Sequence, residues 1–249
     1  MKSLPKISVI TVVFNDEDHI GRTIGSVISQ TYSRIEYIIV DGQSTDRTME
    51  VVNSFKEIDV VISEPDKGLY EAMNKGLKAA TGDYVWYLNS GDEVYSTDTV
   101  ERMAEGLQGV PDIIYGGSMI ISGTQEEIGE RRLKPPAQLN WKSFRKGMVV
   151  SHQSLLVKRE LAVDYNLDYR ISADIDWAIR VTKKATQIHN SNLILSRFLE
   201  GGISENNIKA GLKERFRIMT RYYGFIPTLL RHFLFGIRLT NFYLRYRRI

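Results

Sequence analysis

Before residue 95 the chain repeats one pattern four times: an apolar run of strand length ends in acids or amides, and a stretch with helical spacing follows. Ile7–Phe14 runs into Asn15-Asp16, and Ile35–Val40 into Asp41-Gly42. Ile58–Ile62 runs into Glu64-Pro65-Asp66-Lys67-Gly68, and Tyr84–Leu88 into Asn89-Ser90-Gly91-Asp92. Near-continuous β-branched and aromatic runs read as strands covered on both faces. Between them, Ile20, Ile24, Val27 and Ile28 follow helical spacing, as do Met49, Val52 and Phe55, and a third helix spans Leu69–Ala79. Asp16 or Asp18 is the expected cap of the first helix, and Ser44 or Thr45 of the second. Strands alternating with helices make a parallel sheet with right-handed crossovers. The expected fold is therefore α/β, a mostly parallel sheet flanked by helices. All the polar strand ends then fall on the carboxyl edge, where open α/β sheets bind ligands.

After Asp92 the alternation loosens. Thr97–Leu107 reads as a helix, and Asp112–Tyr115, Ser118–Ser122 and Glu127–Arg132 as short strands around glycines. Pro135-Pro136 marks a loop, Val149–Val157 a strand, Tyr169–Lys184 a segment ending in a helix, and Ile188–Phe198 a late strand. Ser204 is the expected start of a helix reaching about Tyr223. This half predicts a mixed or antiparallel addition to the sheet.

Several chemistries are excluded. The chain has no cysteine, so it has no disulfide or thiolate metal site. It carries neither G-x-G-x-x-G nor G-x-x-x-x-G-K-[ST], so dinucleotide and P-loop fingerprints are absent. The basic start and short apolar run of MKSLPKISVITVVFN have strand length and no cleavage site, so no signal peptide is expected. No stretch of about 18 uncharged apolar residues predicts a membrane-spanning helix.

The most informative stretch is TGDYVWYLNSGDEV, residues 81–94. Asn, Ser, Gly and Asp after a strand are also ordinary turn residues. At a carboxyl edge they are oxygen ligands for a hard cation bridging phosphates. The surrounding segments carry a resemblance. ISVITVVFN, IIVDGQSTDRT, EPDKGLYEAMNKG, TGDYVWYLNSGDE and ISADIDW, in that order, resemble the family 2 glycosyltransferases over about residues 6–205. The resemblance implies a GT-A fold, a nucleotide-binding α/β domain, and inverting transfer of a sugar from a nucleoside diphosphate donor. It places Thr11, Phe14 and Asn15 along the nucleoside, Asp41 on the base, commonly uracil, and Asp66, Lys67 and Asn74 beside the nucleotide. Ser90, Gly91 and Asp92 fall at the diphosphate, with Asp92 as the ligand of Mg2+ or Mn2+. Asn89 and Gly91 stand where many members have Asp, and Ala173 where many have Glu. Asp174 matches the general base, with Asp176 the second choice, and His152-Gln153 is placed on the acceptor side. The domains implied are residues 1–205, divided into a donor half (1–95) and an acceptor half (96–205), and a helical basic extension, 206–249.

The extension is a different surface from the body. Residues 207–249 hold ten Lys or Arg against one acid, Glu214, in a chain of formal net charge +3. In 225–249, Arg231, Arg238 and Arg245 recur every seven residues beside Leu230, Phe233, Leu234, Ile237 and Leu244. A basic amphipathic helix suits an anionic membrane surface; docking on the domain with snorkelling arginines is the alternative. Nothing in the chain looks like a nucleic-acid module. The expected partners are a nucleoside-diphosphate sugar, UDP-linked in keeping with Asp41, and a glycan or lipid-linked acceptor in cell-surface polysaccharide synthesis. The expected place is the cytoplasm, at the inner membrane face. A catalytically silent, nucleotide-sugar-binding or scaffold relative is the competing reading, motivated by the missing acids. A nucleotidyltransferase would need a Gly- and basic-rich loop that Ile7–Asn15 lacks.

Overall fold

The computed structural model describes residues 4–107, 109–201 and 207–233. Strands β1 (Ile7–Val13), β2 (Ile35–Asp41), β3 (Val60–Ser63) and β4 (Tyr84–Tyr87) alternate with helices α1 (Ile20–Ile28), α2 (Thr48–Asn53) and α3 (Leu69–Ala79). β1 lies between β2 and β4, and β3 extends the sheet beyond β2, all in parallel. The repeat in the sequence is thus one parallel half-sheet. Side chains on β1 alternate between two cores: Ile7, Val9 and Val13 face Ile20, Ile24 and Val27 of α1, while Ile10 and Val12 face Tyr70 and Met73 of α3. Burial of both faces explains why these strands are apolar throughout.

The second half adds β5 (Glu93–Val94), α4 (Thr99–Glu105), β6 (Ile113–Ile121), β7 (Glu127–Glu130), β8 (Leu155–Lys158), α5 (Ala173–Lys184), β9 (Ile188–Leu199) and α6 (Ile208–Tyr223). The sheet order is β3-β2-β1-β4-β8-β6-β9-β5, with β7 also paired to β6. β8 is antiparallel to β4 and β6, and β9 is parallel to β6. The expected mixed addition is present.

Three local expectations change. Asp112–Tyr115 and Ser118–Ser122 form one strand, β6, whose register with β9 shifts at Gly116-Gly117. A Cβ on Gly116 would stand 2.4 Å from the Leu193 carbonyl oxygen, so glycine lets β9 approach closely and the strand continues. Val149–Val157 is extended only from Leu155; His152–Ser154 is a 3-10 turn. Hydroxyl bonds hold that turn: Ser118 Oγ lies 2.6 Å from Ser151 Oγ and 2.8 Å from Ser154 Oγ. The helix caps differ too. α2 starts at Thr48, whose N–H donates to Asp46 Oδ1 at 3.0 Å. The Asp16 carbonyl accepts the His19 and Ile20 N–H groups ahead of α1, while its carboxylate turns to the His19 ring and Ser90. Neither helix has a side-chain cap at its N-cap residue. Ser204 and residues 234–249 of the expected tail lie outside the described residues.

The amino edge of the sheet is a stability element. Glu36, 6 % exposed, accepts from Lys6 Nζ (2.7 Å), Ser8 Oγ (2.5 Å), the Thr81 N–H (2.7 Å) and the Thr81 hydroxyl. Burial pushes its carboxyl up, but these donors outweigh that and hold it down at about 2. They tie β1, β2 and the turn into β4 at the edge away from the ligand side.

Candidate active site

The carboxyl edge collects side chains from both halves. The parallel order brings Asn15, Asp41 and Asn89 there. Because β8 runs antiparallel to β4, its amino end, with the His152–Ser154 turn, lies at the same edge. β9 runs in the same direction as β4, so α5, the helix before it, begins there as well, with Asp174 in its first turn.

One corner is aromatic. Phe14 is 61 % exposed, against Gly42 and Asp66. A Cβ on Gly42 would lie 2.7 Å from Asp66 Oδ2 and 3.2 Å from Phe14 Cδ2, so glycine is what lets the two flank one hollow. Asn15 sits at φ 47, and its Oδ1 accepts the Thr45 N–H at 2.8 Å, fixing the facing loop. Asp41 is fully buried. It accepts the Ser44 N–H at 3.1 Å and Ser63 Oγ at 2.7 Å, with the Ser44 hydroxyl a further donor. Its carboxylate shapes the floor of the corner. Lys67 is exposed, and its backbone N–H donates to Glu71.

Thr11 and Asn74, both expected beside the nucleotide, are turned away. Thr11 is fully buried and its hydroxyl meets Tyr37 OH at 3.1 Å. Asn74 spends its side chain on the Tyr165 backbone, donating to the carbonyl at 3.0 Å and accepting from the N–H at 2.6 Å. It locks α3 to the loop ahead of α5.

The β4 loop is held from four sides. Ser90 Oγ donates to Asp16 Oδ2 at 2.6 Å, and the Gly91 N–H donates to Thr23 Oγ1 at 3.0 Å. Gly91 has φ +91, and a Cβ there would come 2.9 Å from Leu199 Cδ2. Asp92 is 4 % exposed; Gln153 Nε2 donates to it at 2.9 Å and the Leu199 N–H at 3.3 Å. Burial pushes its carboxyl up to about 7. Asn89 Nδ2 faces His152 Nε2 at 3.2 Å, while Asn89 Oδ1 is buried without a partner among the described residues. Burial, with the charge of Arg131, pulls the His152 imidazole down to about 3, so it is neutral.

This donor set does not fit a divalent cation held by protein carboxylates. Such cations take hard oxygens, usually one or two carboxylates plus phosphates for Mg2+. Here Asp92 faces inward with both oxygens engaged, Asn89 offers one neutral oxygen, and no group of three His, Asp or Glu is suitably placed among the described residues.

Asp174 is half-buried, and its Oδ1 accepts the Ile175 N–H at 2.9 Å. Burial pushes its carboxyl up, opposed by the charges of Arg215 and Arg131. Beneath it, Tyr165 stacks on Tyr70 and Trp177 with centroids 5.2 and 5.1 Å apart. Asp176 points elsewhere: Arg180 Nε donates to it at 2.7 Å and Tyr222 OH at 2.8 Å. It ties α5 to α6, which leaves Asp174 as the acid facing the edge.

Sequence reasoning missed Arg131, Arg215 and Glu214. Glu214 accepts the N–H groups of Arg170, Ile171 and Ser172, each at 2.9 Å, so the basic extension begins as a wall of the site. The signal was there: Glu214 is the lone acid in 207–249.

Residues 8–163 match the family model described as Glycosyl transferase family 2. An uncharacterized glycosyltransferase of Mycobacterium tuberculosis is 35% identical over 188 residues, 72% of this chain and 70% of that protein. A PGL/p-HBAD biosynthesis glycosyltransferase of Mycobacterium bovis is 29% identical over 228 residues, 87% of this chain and 86% of that protein. Among solved structures, S. aureus TarS 1-349 in complex with UDP-GlcNAc superposes with a TM-score of 0.68 at 17% identity, covering 92% of this chain and 73% of that one. The mannosyltransferase PcManGT from Pyrobaculum calidifontis, in complex with GDP-Man and Mn2+, gives 0.65 at 16% identity, covering 93% and 70%. The likeness to these two shows a shared GT-A fold.

Proposed function

This chain belongs to glycosyl transferase family 2, and on that premise we propose that it moves a hexosyl group from a nucleoside-diphosphate sugar, UDP-linked, to a glycan or lipid-linked acceptor with inversion. The observation that carries the reading is the position of Asp174, a half-buried carboxylate with a raised pKa at the edge that also holds the Phe14–Gly42–Asp66 corner. The base stacks on Phe14, with Asp41 and Asp66 around it. The sugar then points along the edge toward Asn89 and Asp174. The acceptor hydroxyl gives its proton to Asp174 as its oxygen bonds to the anomeric carbon. The bond from that carbon to the diphosphate oxygen breaks, and the electron pair leaves with the nucleoside diphosphate. Attack and departure on opposite faces invert the centre. A carboxyl pushed up by burial is a stronger base than an exposed one, the direction a general base needs. Ser90 and Gly91 position the β4 loop. Asp92 supports that loop from inside, and no step is assigned to Mg2+ or Mn2+.

The acceptor class follows the names of relatives in PGL/p-HBAD biosynthesis and the surface of the extension. A helical segment over 225–233 packs back on α6 through Phe216, whose ring meets His232 at 5.1 Å. Its outer side exposes Phe225, Ile226, Leu229, Leu230 and Phe233, each by about half or more. Among the described residues no helix is long and apolar enough to cross a membrane. An apolar stripe on a strongly basic extension complements anionic lipid, so we place the enzyme peripherally on the cytoplasmic face, in cell-surface polysaccharide synthesis.

Proton NMR of the full chain with UDP-sugars and a lipid-linked acceptor tests the reading. Release of UDP with an inverted anomeric centre supports it. Nucleotide-sugar binding without any turnover would favour the catalytically silent alternative.

A further inference from the structure

Given the transfer reaction proposed above, we infer that Arg131 and Arg215, rather than a cation held on protein carboxylates, neutralise the departing diphosphate. As the bond from the anomeric carbon to oxygen breaks, negative charge builds on the diphosphate, and preorganised positive charge facing it lowers the barrier. In many phosphate sites a divalent ion supplies that charge. The β4 loop here cannot seat one on acids. Asn89 offers a single neutral oxygen, Oδ1, while its Nδ2 faces His152. Position 91 has a left-handed backbone with Leu199 against it, so an aspartate there would be strained and crowded. Asp92 is sealed beneath Gln153 and Leu199.

Two guanidinium groups stand nearby. β6 runs on past the end of β8, carrying β7 with it, and Arg131 follows β7; its N–H donates to the Ser118 carbonyl at 3.3 Å. The Arg131 charge acts on both His152 and Asp174, and Arg131 lines a hollow with Ser118, Val150 and Ser151, next to the His152 turn. It therefore stands close to both the turn before β8 and the base, at the edge where the proposed donor lies. Arg215 comes from the opposite wall. The three N–H groups taken by its neighbour Glu214 fix this turn of α6 to the start of α5, which brings Arg215 to Asp174. No carboxylate among the described residues lies within 4.0 Å of either guanidinium. Burial disfavours the charged form of Arg131, the charge of Asp174 favours it, and the charge of Arg215 disfavours it more weakly. An anion between the two relieves that repulsion, and the planar fork of a guanidinium matches phosphate oxygens in pairs.

Calorimetric titration of the full chain with UDP against UMP, and with GDP against GMP, in EDTA and again in Mg2+ or Mn2+, tests this directly. In EDTA one diphosphate should bind at least about tenfold tighter than its monophosphate, and either metal should add less than about threefold. Arg215 is exposed, so R215A should fold, lose most of the diphosphate preference and keep its monophosphate affinity; R215K should recover part of it. R131Q, checked for its melting temperature, should behave like R215A. A diphosphate preference that appears only with metal, or that survives in EDTA in both R215A and R131Q, overturns the assignment and leaves the transfer reading standing. Failure of all four nucleotides to bind the wild-type chain removes the donor site and both readings with it.

Discussion

The Asp92 carboxylate accepts the side-chain amide of Gln153 at 2.9 Å, across 61 residues of sequence. The acid that the sequence offers as a metal ligand is therefore a strut between the β4 loop and the turn before β8. Its environment has a consequence for pH. Burial raises its carboxyl to about 7, so the folded protein holds this proton more tightly than the unfolded chain does. The stability it contributes is full below about pH 4 and is lost as pH rises toward 7, by at most about 4 kcal/mol. D92N is neutral at every pH. Its melting temperature relative to wild type should climb by about 5 °C or more between pH 5 and pH 8. A constant difference would mean that the carboxylate is solvated and free to bind a cation.

The aromatic corner makes a second prediction. Stacking of a base on an aromatic ring is worth about 1–3 kcal/mol whatever the base. F14A should weaken UDP and GDP binding alike, by about tenfold, with little change in melting temperature, because the ring is exposed. G42A should also weaken both, since the added methyl enters the space between Asp66 and Phe14. Calorimetry on the two variants checks this; unaltered affinities would move the base elsewhere.

The carboxyl edge was legible in the sequence because its cause is local. Each β-branched run ends in turn residues, and parallel pairing places those ends together. Asp174 was singled out by the resemblance alone, and the structure puts it in the first turn of α5, which begins at that edge. What could not be read is which way a side chain turns at that edge. Thr11 and Asn74 lie in the expected segments, yet Tyr37 and the Tyr165 backbone claim them. Asp92 looks like a ligand until Gln153 arrives from the turn before β8, a pairing set by antiparallel register and by a 3-10 turn inside an apolar run. Arg131 and Arg215 reach the site through long-range packing, and a basic extension read by composition alone looks like surface.

The extension carries its own test. In flotation assays the full chain should bind vesicles containing phosphatidylglycerol and bind pure phosphatidylcholine several-fold less. Replacing Leu229 and Leu230 by Asp, both exposed, should abolish binding and leave the melting temperature within about 2 °C, as surface changes do. Equal binding by the double variant would contradict a membrane role for this face.

The most direct measurement of the central claim is the transfer rate of D174N against wild type as a function of pH, with nucleotide binding followed on the same samples. The wild-type rate should rise with pH as Asp174, its carboxyl raised by burial, gives up its proton. D174N should lose about 10²–10⁴-fold in kcat at every pH, the range expected for a general base, while binding UDP as the wild type does. A D174N enzyme that keeps the wild-type rate and the same pH profile would contradict Asp174 as the base.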